Sequence, residues 1–144
     1  KFIDFKNSFI NYANLKIKDK DLQPIINIDS ELLLEDINSN LISLLKTLEP
    51  FGPGNMRPKF VIRNVKILGH PEVIGTDSTT LKFKIKSKNK ILDVIGFNMV
   101  EHYEKLILSE AVDLAFIIHE NDWMSNKSIQ LEIKDIKGGG MKYD

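Results

Sequence analysis

The segment that most constrains the fold is LKFKIKSKNKILDVIGF, residues 81–97, in which apolar and polar side chains alternate on both sides of a short polar break. Alternation with a period of two is typical of a β-strand that has one buried face and one face in water. A two-residue turn at Lys88 and Asn89 would join two such strands into a hairpin. The expected pairs are Ser87 with Lys90, Lys86 with Ile91, Ile85 with Leu92, Lys84 with Asp93, and Lys82 with Ile95.

The rest of the second half of the chain has the same strand character. The predicted strands cover residues 59–68, 79–87, 90–97, 112–120 and 128–136. A helix is predicted over 99–108, between the third and fourth strands, with Asn98 as its N-cap. The order β-β-β-α-β-β is the order that a five-stranded OB-fold barrel requires. We therefore predict a mainly β, α+β fold, with other small barrels as the alternative.

The first 50 residues differ in pattern from the strand region. A helix is predicted over residues 2–17, a strand or extended link over 24–29, and a second helix over 37–48 with Asn38 as N-cap and Pro50 as its stop. The segment PFGPGNMRP that follows favours a turn with positive φ at Gly52, Gly54 or Asn55. The predicted division is a helical segment over 1–50, an OB domain over 51–137 and a flexible tail over 138–144.

The charge of the chain is unevenly distributed. The formal net charge is zero, but residues 51–90 carry nine Lys or Arg against two Asp or Glu, while 1–50 and 91–144 have an acidic excess. Salt screens exposed charges beyond about 8 Å, so a partner that touches the middle segment experiences mainly its local charge. A neutral total therefore does not exclude a polyanionic partner.

Three lysines alternate with the apolar residues of the predicted second strand. Lys82, Lys84 and Lys86 fall on the face opposite Leu81, Phe83 and Ile85, and a row of like charges does not stabilise a strand. Oligonucleotides commonly lie on this face of an OB-fold. The candidate DNA-binding residues are Lys82, Lys84, Lys86, Lys88, Lys90, Arg57, Lys59, Arg63 and Trp123. The alternative is that the exposed lysines only prevent edge-to-edge aggregation.

Aromatic residues are candidate platforms for base stacking. Trp123 lies in the predicted loop between strands four and five, where an indole can stack on bases. The alternative is that it caps the end of the barrel. Phe83 and Phe97 are predicted to be in the core, and Phe51 is predicted to pack in the turn.

The chain lacks the residues that several kinds of site or segment require. The chain has no cysteine, which suits a cytoplasmic location, and no apolar run of the roughly 20 residues that a membrane span needs. His70, His102 and His119 are scattered, without the neighbouring ligands that a metal-dependent phosphoesterase requires. No catalytic residue and no metal site are predicted, and Lys1 is expected to mark an excision from a longer protein.

Three segments carry a family resemblance. They are LEPFGPGNMRPKF at 48–60, LKFKIKSKNKILDVIGF at 81–97 and SIQLEIKDI at 128–136, and together they resemble the C-terminal part of the RecJ family of bacterial single-strand-specific exonucleases. Residues 28–32 resemble the end of that family's DHHA1 domain. Members often have a histidine at the position of Thr80 and a proline at that of Met56.

The resemblance implies a parent enzyme and a set of partners. The parent would be a 5′-to-3′ exonuclease of the DHH superfamily that uses manganese or magnesium in recombination and repair. This chain would begin downstream of its catalytic motifs and would have no cofactor of its own. The implied partners are single-stranded DNA, the DHH/DHHA1 nuclease core and single-stranded-DNA-binding protein. The alternative function is a protein-interaction module that docks on that core or on the binding protein.

Overall fold

The computed structural model describes residues 1–22, 24–123 and 126–138, excluding the side chains of 19, 20, 122, 123, 126 and 127. The helices are α1 (Phe2–Lys16), α2 (Ser39–Thr47) and α3 (Tyr103–Leu108), with 3₁₀ turns at Asp19–Leu22, Leu34–Asp36 and Val100–His102. The strands are β1 (Ser30–Glu31), β2 (Phe60–Ile74), β3 (Thr80–Ser87), β4 (Lys90–Gly96), β5 (Ala111–Trp123) and β6 (Asn126–Gly138).

Strands β2 to β6 close into a barrel. Their order is β2-β3-β4-β6-β5, and pairing between β2 and β5 closes the ring. The β4–β6 pair is parallel and the other pairs of the ring are antiparallel, while β1 adds a short parallel pairing to β2. The helix α3 lies between the third and fourth barrel strands. The predicted OB-fold and its β-β-β-α-β-β order are confirmed.

The β3–β4 hairpin has the register that the sequence predicts. All five predicted pairs are present, and Lys88 in the two-residue turn has a φ of 49°. The Lys84 Nζ lies 4.0 Å from the Asp93 Oδ1, an exposed cross-strand pair worth under about 1 kcal/mol. The turn and the alternation therefore fix which lysines point away from the core.

The barrel core is built from the inward residues of every strand. Leu81, Phe83 and Ile85 of β3 are buried, as predicted from their spacing. Gly96 lets β4 and β6 approach, because a Cβ at this position would lie 2.6 Å from the Ile133 Cδ1. Side chains therefore fill the interior of the barrel, and a ligand would have to bind on its outer surface.

The core extends into the segment that precedes the barrel. Asn38 caps α2 as predicted, with its Oδ1 accepting hydrogen bonds from the backbone N–H groups of Asn40 at 3.0 Å and Leu41 at 3.1 Å. Ile42 of α2 and Ile37 before it are buried in the same cluster as the barrel residues. One hydrophobic core therefore contains residues from both sides of residue 50. The domain division at that position stays a prediction.

The structure differs from the predicted elements at several places. Asn98 is not the N-cap of the helix: it has a φ of 54°, and the helical segment begins with the 3₁₀ turn at Val100–His102. The positive φ turns the chain sharply after β4, and the Met99 N–H then donates to the Thr79 carbonyl at 3.0 Å. Gly138 belongs to β6, and residues 139–144 of the predicted tail lie outside the described residues.

Candidate nucleic-acid interface

The outer surface of β2, β3 and β4 forms a continuous patch that we call the lysine face. Its centre is the exposed row Lys82, Lys84 and Lys86 on β3. The register places two further sets on the same side: Ile91, Asp93 and Ile95 on β4, and Lys66, Leu68 and Glu72 on β2. The strands thus present a row of ammonium groups flanked by partly apolar neighbours.

Much of the positive charge of the lysine face is not neutralised. Lys84 has Asp93 nearby, whereas Lys66, Lys82 and Lys86 have no carboxylate within 4.0 Å among the residues that the structure describes. Lys66 lies directly opposite Lys86 across the β2–β3 pair. Like charges in this position destabilise a sheet, so the pair favours a bound anion over a purely structural role.

A groove crosses the centre of the lysine face. The register of β2 against β3 shifts between Leu68 and Glu72, and Gly69 within the shift has a φ of 74°. The resulting groove has a volume of about 300 Å³. It is lined by Leu68, Gly69, His70, Glu72, Lys82, Phe83, Lys84 and Asp93. The groove thus offers apolar side chains together with two lysines and two carboxylates.

Lys90 does not lie on the lysine face. Its position on β4 has the same phase as the buried Leu92 and Val94, and its ammonium group donates a hydrogen bond to the Ile37 carbonyl. This contact ties the hairpin to the segment that precedes α2. Lys88, in contrast, is exposed at the turn.

The two predicted arginines make structural contacts away from the row. The Arg63 Nε lies 2.9 Å from the Glu31 Oε2, and its Nη1 lies 3.6 Å from the Oδ2 of the buried Asp113. The Arg57 guanidinium lies 4.7 Å from the centre of the Phe51 ring. Phe51 therefore packs in the turn, and neither arginine belongs to the lysine face.

Lys59 and Trp123 are the two remaining residues predicted to contact DNA. Lys59 precedes β2 and is half-buried, with its backbone N–H donating to the Asp29 Oδ2 at 2.8 Å. This contact places it beside β1 rather than beside β3. Trp123 is the last residue of β5, and its side chain lies outside the described residues.

Phe97 is an exposed aromatic residue that the sequence interpretation assigned to the core. Its side chain is 55% exposed, so that prediction is wrong. Because Leu92 and Val94 point inward, the period of β4 gives Phe97 the same outward phase as Ile95, which pairs with Lys82. The alternation along β4 therefore already indicated that Phe97 is exposed. Phe97 directly follows the end of β4, and its exposed ring can offer a base a stacking surface.

Glu132 on β6, next to the lysine face, contacts two side chains of the β5–β6 surface. Burial raises the pKa of the Glu132 carboxyl, but hydrogen bonds from Lys134 and His119, together with their charges, outweigh burial and hold this pKa below its ordinary value. The His119 Nε2 lies 2.7 Å from the Glu132 Oε2. Glu132 pairs in register with Ile95, so this network borders the lysine face.

Neither a metal-ligand cluster nor a membrane-spanning helix occurs in the described part of the chain. No three His, Asp or Glu side chains there converge in a way that could hold a metal ion. These residues therefore do not fit the manganese or magnesium that the resemblance implies for the parent enzyme. None of the described helices has both the length and the apolar character needed to cross a membrane.

The family model for the RecJ OB domain matches residues 28–135. The chain belongs to the RecJ OB domain family. This RecJ OB domain is 28% identical over 132 residues to the single-stranded-DNA-specific exonuclease RecJ of Bacillus subtilis, covering 92% of the chain and 17% of the relative. It is 30% identical over 139 residues to the Haemophilus influenzae protein of the same name, covering 94% of the chain and 24% of the relative.

The fold of this RecJ OB domain is also similar to that of a solved relative. The crystal structure of RecJ in complex with Mn²⁺ from Thermus thermophilus matches with a TM-score of 0.71 at 20% identity. The match covers 97% of this chain and 19% of that one. The chain thus spans about a fifth of the length of the relatives that it matches.

Proposed function

We propose that this RecJ OB domain binds single-stranded DNA along the lysine face, as an auxiliary grip for a RecJ-like 5′-to-3′ exonuclease acting in recombination and repair. The observation that carries the proposal is the exposed row Lys82, Lys84 and Lys86, in which the first and last have no carboxylate within 4.0 Å among the described residues. The names of the curated relatives, single-stranded-DNA-specific exonucleases, agree with such a surface.

The chemistry of the lysine face suits a flexible single strand. Phosphates that contact the lysines release condensed counterions, which favours binding without sequence preference. Base faces are accessible in a single strand and can lie against Ile91, Ile95 and the exposed ring of Phe97. In a duplex the bases are stacked on each other and cannot reach these side chains. We therefore expect a preference for single strands.

The remaining steps of the reaction are assigned to other parts of a longer protein. Cleavage with manganese or magnesium would take place in a DHH/DHHA1 nuclease core, because the described residues offer no metal-ligand set. Contact with single-stranded-DNA-binding protein and a cytoplasmic location stay predictions. The role of the OB domain is to hold the strand, not to cut it.

A second candidate function is docking on the nuclease core. The observation that favours it is the helix α1, none of whose residues is buried. Phe2, Phe5 and Phe9 are exposed apolar residues on this helix. They form a surface separate from the lysine face, so docking through α1 is compatible with DNA binding.

Fluorescence anisotropy with labelled oligo-dT tests the proposed function. We expect saturable binding at low salt that is at least roughly tenfold tighter for oligo-dT than for a duplex of the same length. The duplex carries about twice as many phosphates, so weaker binding of the duplex would show that accessible bases, and not charge alone, determine the affinity. Absence of binding to oligo-dT at about 50 mM salt, where phosphate contacts are strongest, or equal binding of both, would favour the docking function instead.

Replacing Phe97 with alanine should weaken the binding of oligo-dT by about 1–3 kcal/mol, or roughly 5- to 150-fold in Kd, because a stacking surface is lost. The slope of log Kobs against log salt should not change, since no cation is removed. Leu108→Ala is the control, because Leu108 is 84% exposed on α3. Wild-type affinity in Phe97→Ala would exclude Phe97 as a contact.

A further inference from the structure

A second concave site lies where the lysine face reaches the β3–β4 turn. It has a volume of about 450 Å³ and its lining includes Leu33, Leu34, Arg63, Lys66, Lys86 and Lys88. Small-ligand pockets have volumes from roughly 300 to 1,000 Å³. The site is therefore large enough for one nucleotide, and we call it the turn pocket.

The turn pocket carries a strong excess of positive charge. Lys66, Lys86 and Lys88 line it, and none has a carboxylate within 4.0 Å in the part of the chain that the structure describes. Glu35, also in the lining, accepts a hydrogen bond from the Ser87 hydroxyl at 3.0 Å. Three ammonium groups thus line the pocket against one carboxylate, which keeps its negative charge in the hydrogen bond from the Ser87 hydroxyl. These groups leave the pocket with a net positive charge.

The turn pocket also has an apolar side. Leu33 is 63% exposed, whereas Leu34 and Ile62 beneath it are buried. The Leu33 N–H donates to the Asp36 Oδ2 at 3.0 Å, which fixes the backbone that carries this side chain. An exposed leucine held beside three ammonium groups suits a ligand that is partly apolar and partly anionic.

We propose that the turn pocket binds one nucleotide, with its phosphate at Lys66, Lys86 and Lys88 and its base against Leu33. This proposal rests on the proposed function in one respect: the bound single-stranded DNA reaches the pocket from the lysine face. Lys86 belongs to both, and the row from Lys82 to Lys86 spans roughly 13 Å at the usual rise of a strand. The bound DNA would leave the surface of the sheet at Lys86, and its last contact with the protein would be in the turn pocket.

NMR titration of the ¹⁵N-labelled chain with thymidine 5′-monophosphate tests the pocket directly. We expect shifts of the amides of Leu33, Lys66, Lys86 and Lys88, which should be lost in a Lys66→Gln/Lys88→Gln variant and kept in a Lys6→Gln/Lys18→Gln control. The same spectra report whether each variant is folded. Shifts elsewhere only, or none at all, would overturn the proposal.

Two further probes separate the phosphate contact from the base contact. Leu33→Ala should weaken thymidine 5′-monophosphate several-fold and leave inorganic phosphate unchanged. Equal shifts from phosphate alone, with no effect of Leu33→Ala, would reduce the pocket to an anion site and overturn the nucleotide assignment.

Binding of dT12 separates this proposal from the proposed function. A Leu33→Ala/Lys88→Gln variant changes only the turn pocket, because neither residue belongs to the lysine face. It should bind dT12 roughly fivefold more weakly at about 0.1 M salt, as one ammonium contact in the pocket is lost. If dT12 binds equally well to this variant, the pocket fails while the lysine face stands. If thymidine 5′-monophosphate binds and no oligo-dT does, the proposed function fails while the pocket stands.

Discussion

Changing Lys82, Lys84 and Lys86 together to glutamine is expected to weaken oligo-dT binding on the order of 100-fold at about 0.1 M salt. The loss of three phosphate contacts should reduce the slope of log Kobs against log salt by about two units. The melting temperature should hardly change. All three side chains are exposed, and the Lys84–Asp93 pair is an exposed contact at 4.0 Å. Removing the row should also relieve repulsion between like charges.

The matched control for this triple variant removes the same charge elsewhere. Lys1, Lys6 and Lys18 are exposed in the N-terminal part of the chain, away from the barrel strands. Their change to glutamine should alter oligo-dT binding less than about threefold, since exposed charges beyond a screening length contribute little. Equal loss in both variants would mean that total charge, rather than the lysine face, governs binding. Loss of stability in the first variant would mean that the lysines support the fold.

Replacing Phe116 with alanine is expected to cost about 3–5 kcal/mol of unfolding free energy, as for other large aromatic residues removed from a core. Phe116 is fully buried, and its ring centre lies 6.2 Å from that of Phe60. The two residues are paired in register where β2 meets β5. The substitution therefore opens a cavity at the strand pair that closes the barrel.

Urea denaturation measures this loss through the midpoint of unfolding. Phe97→Ala is the matched control, because the same side chain is removed from an exposed position. It should cost well under about 1 kcal/mol of stability. If Phe116→Ala costs no more than Phe97→Ala, packing at the β2–β5 closure does not hold the barrel together.

The local features of the fold were predictable from the sequence. Alternation and a two-residue turn were enough to predict the register of the β3–β4 hairpin. Asn38 was recognisable as a cap because its side chain bonds to N–H groups only two and three residues away. In both cases the deciding interactions are close in sequence, and spacing alone reveals them.

Lys84 and Asp93 are paired as the hairpin register predicts, but the partners that other cations find far along the chain were not predictable in this way. Lys90 bonds to the Ile37 carbonyl and Arg63 approaches Asp113, and both contacts join residues about 50 positions apart. Such contacts depend on how the barrel closes, which composition and period do not specify. Phe97 is a different case, because the phase of β4 already placed it outside. A large aromatic side chain is more often buried, but the strand phase is the stronger indicator at this position.

The salt dependence of oligo-dT binding is the most direct test of the lysine face as a DNA-binding surface. If Lys66, Lys82, Lys84 and Lys86 each engage a phosphate, log Kobs should fall against log salt with a slope of about −3, or roughly 50-fold between about 50 and 200 mM. The Lys82, Lys84 and Lys86 triple variant should have a slope of about −1. A slope near zero for the unmodified chain, or the same slope for both proteins, would contradict DNA binding through this face.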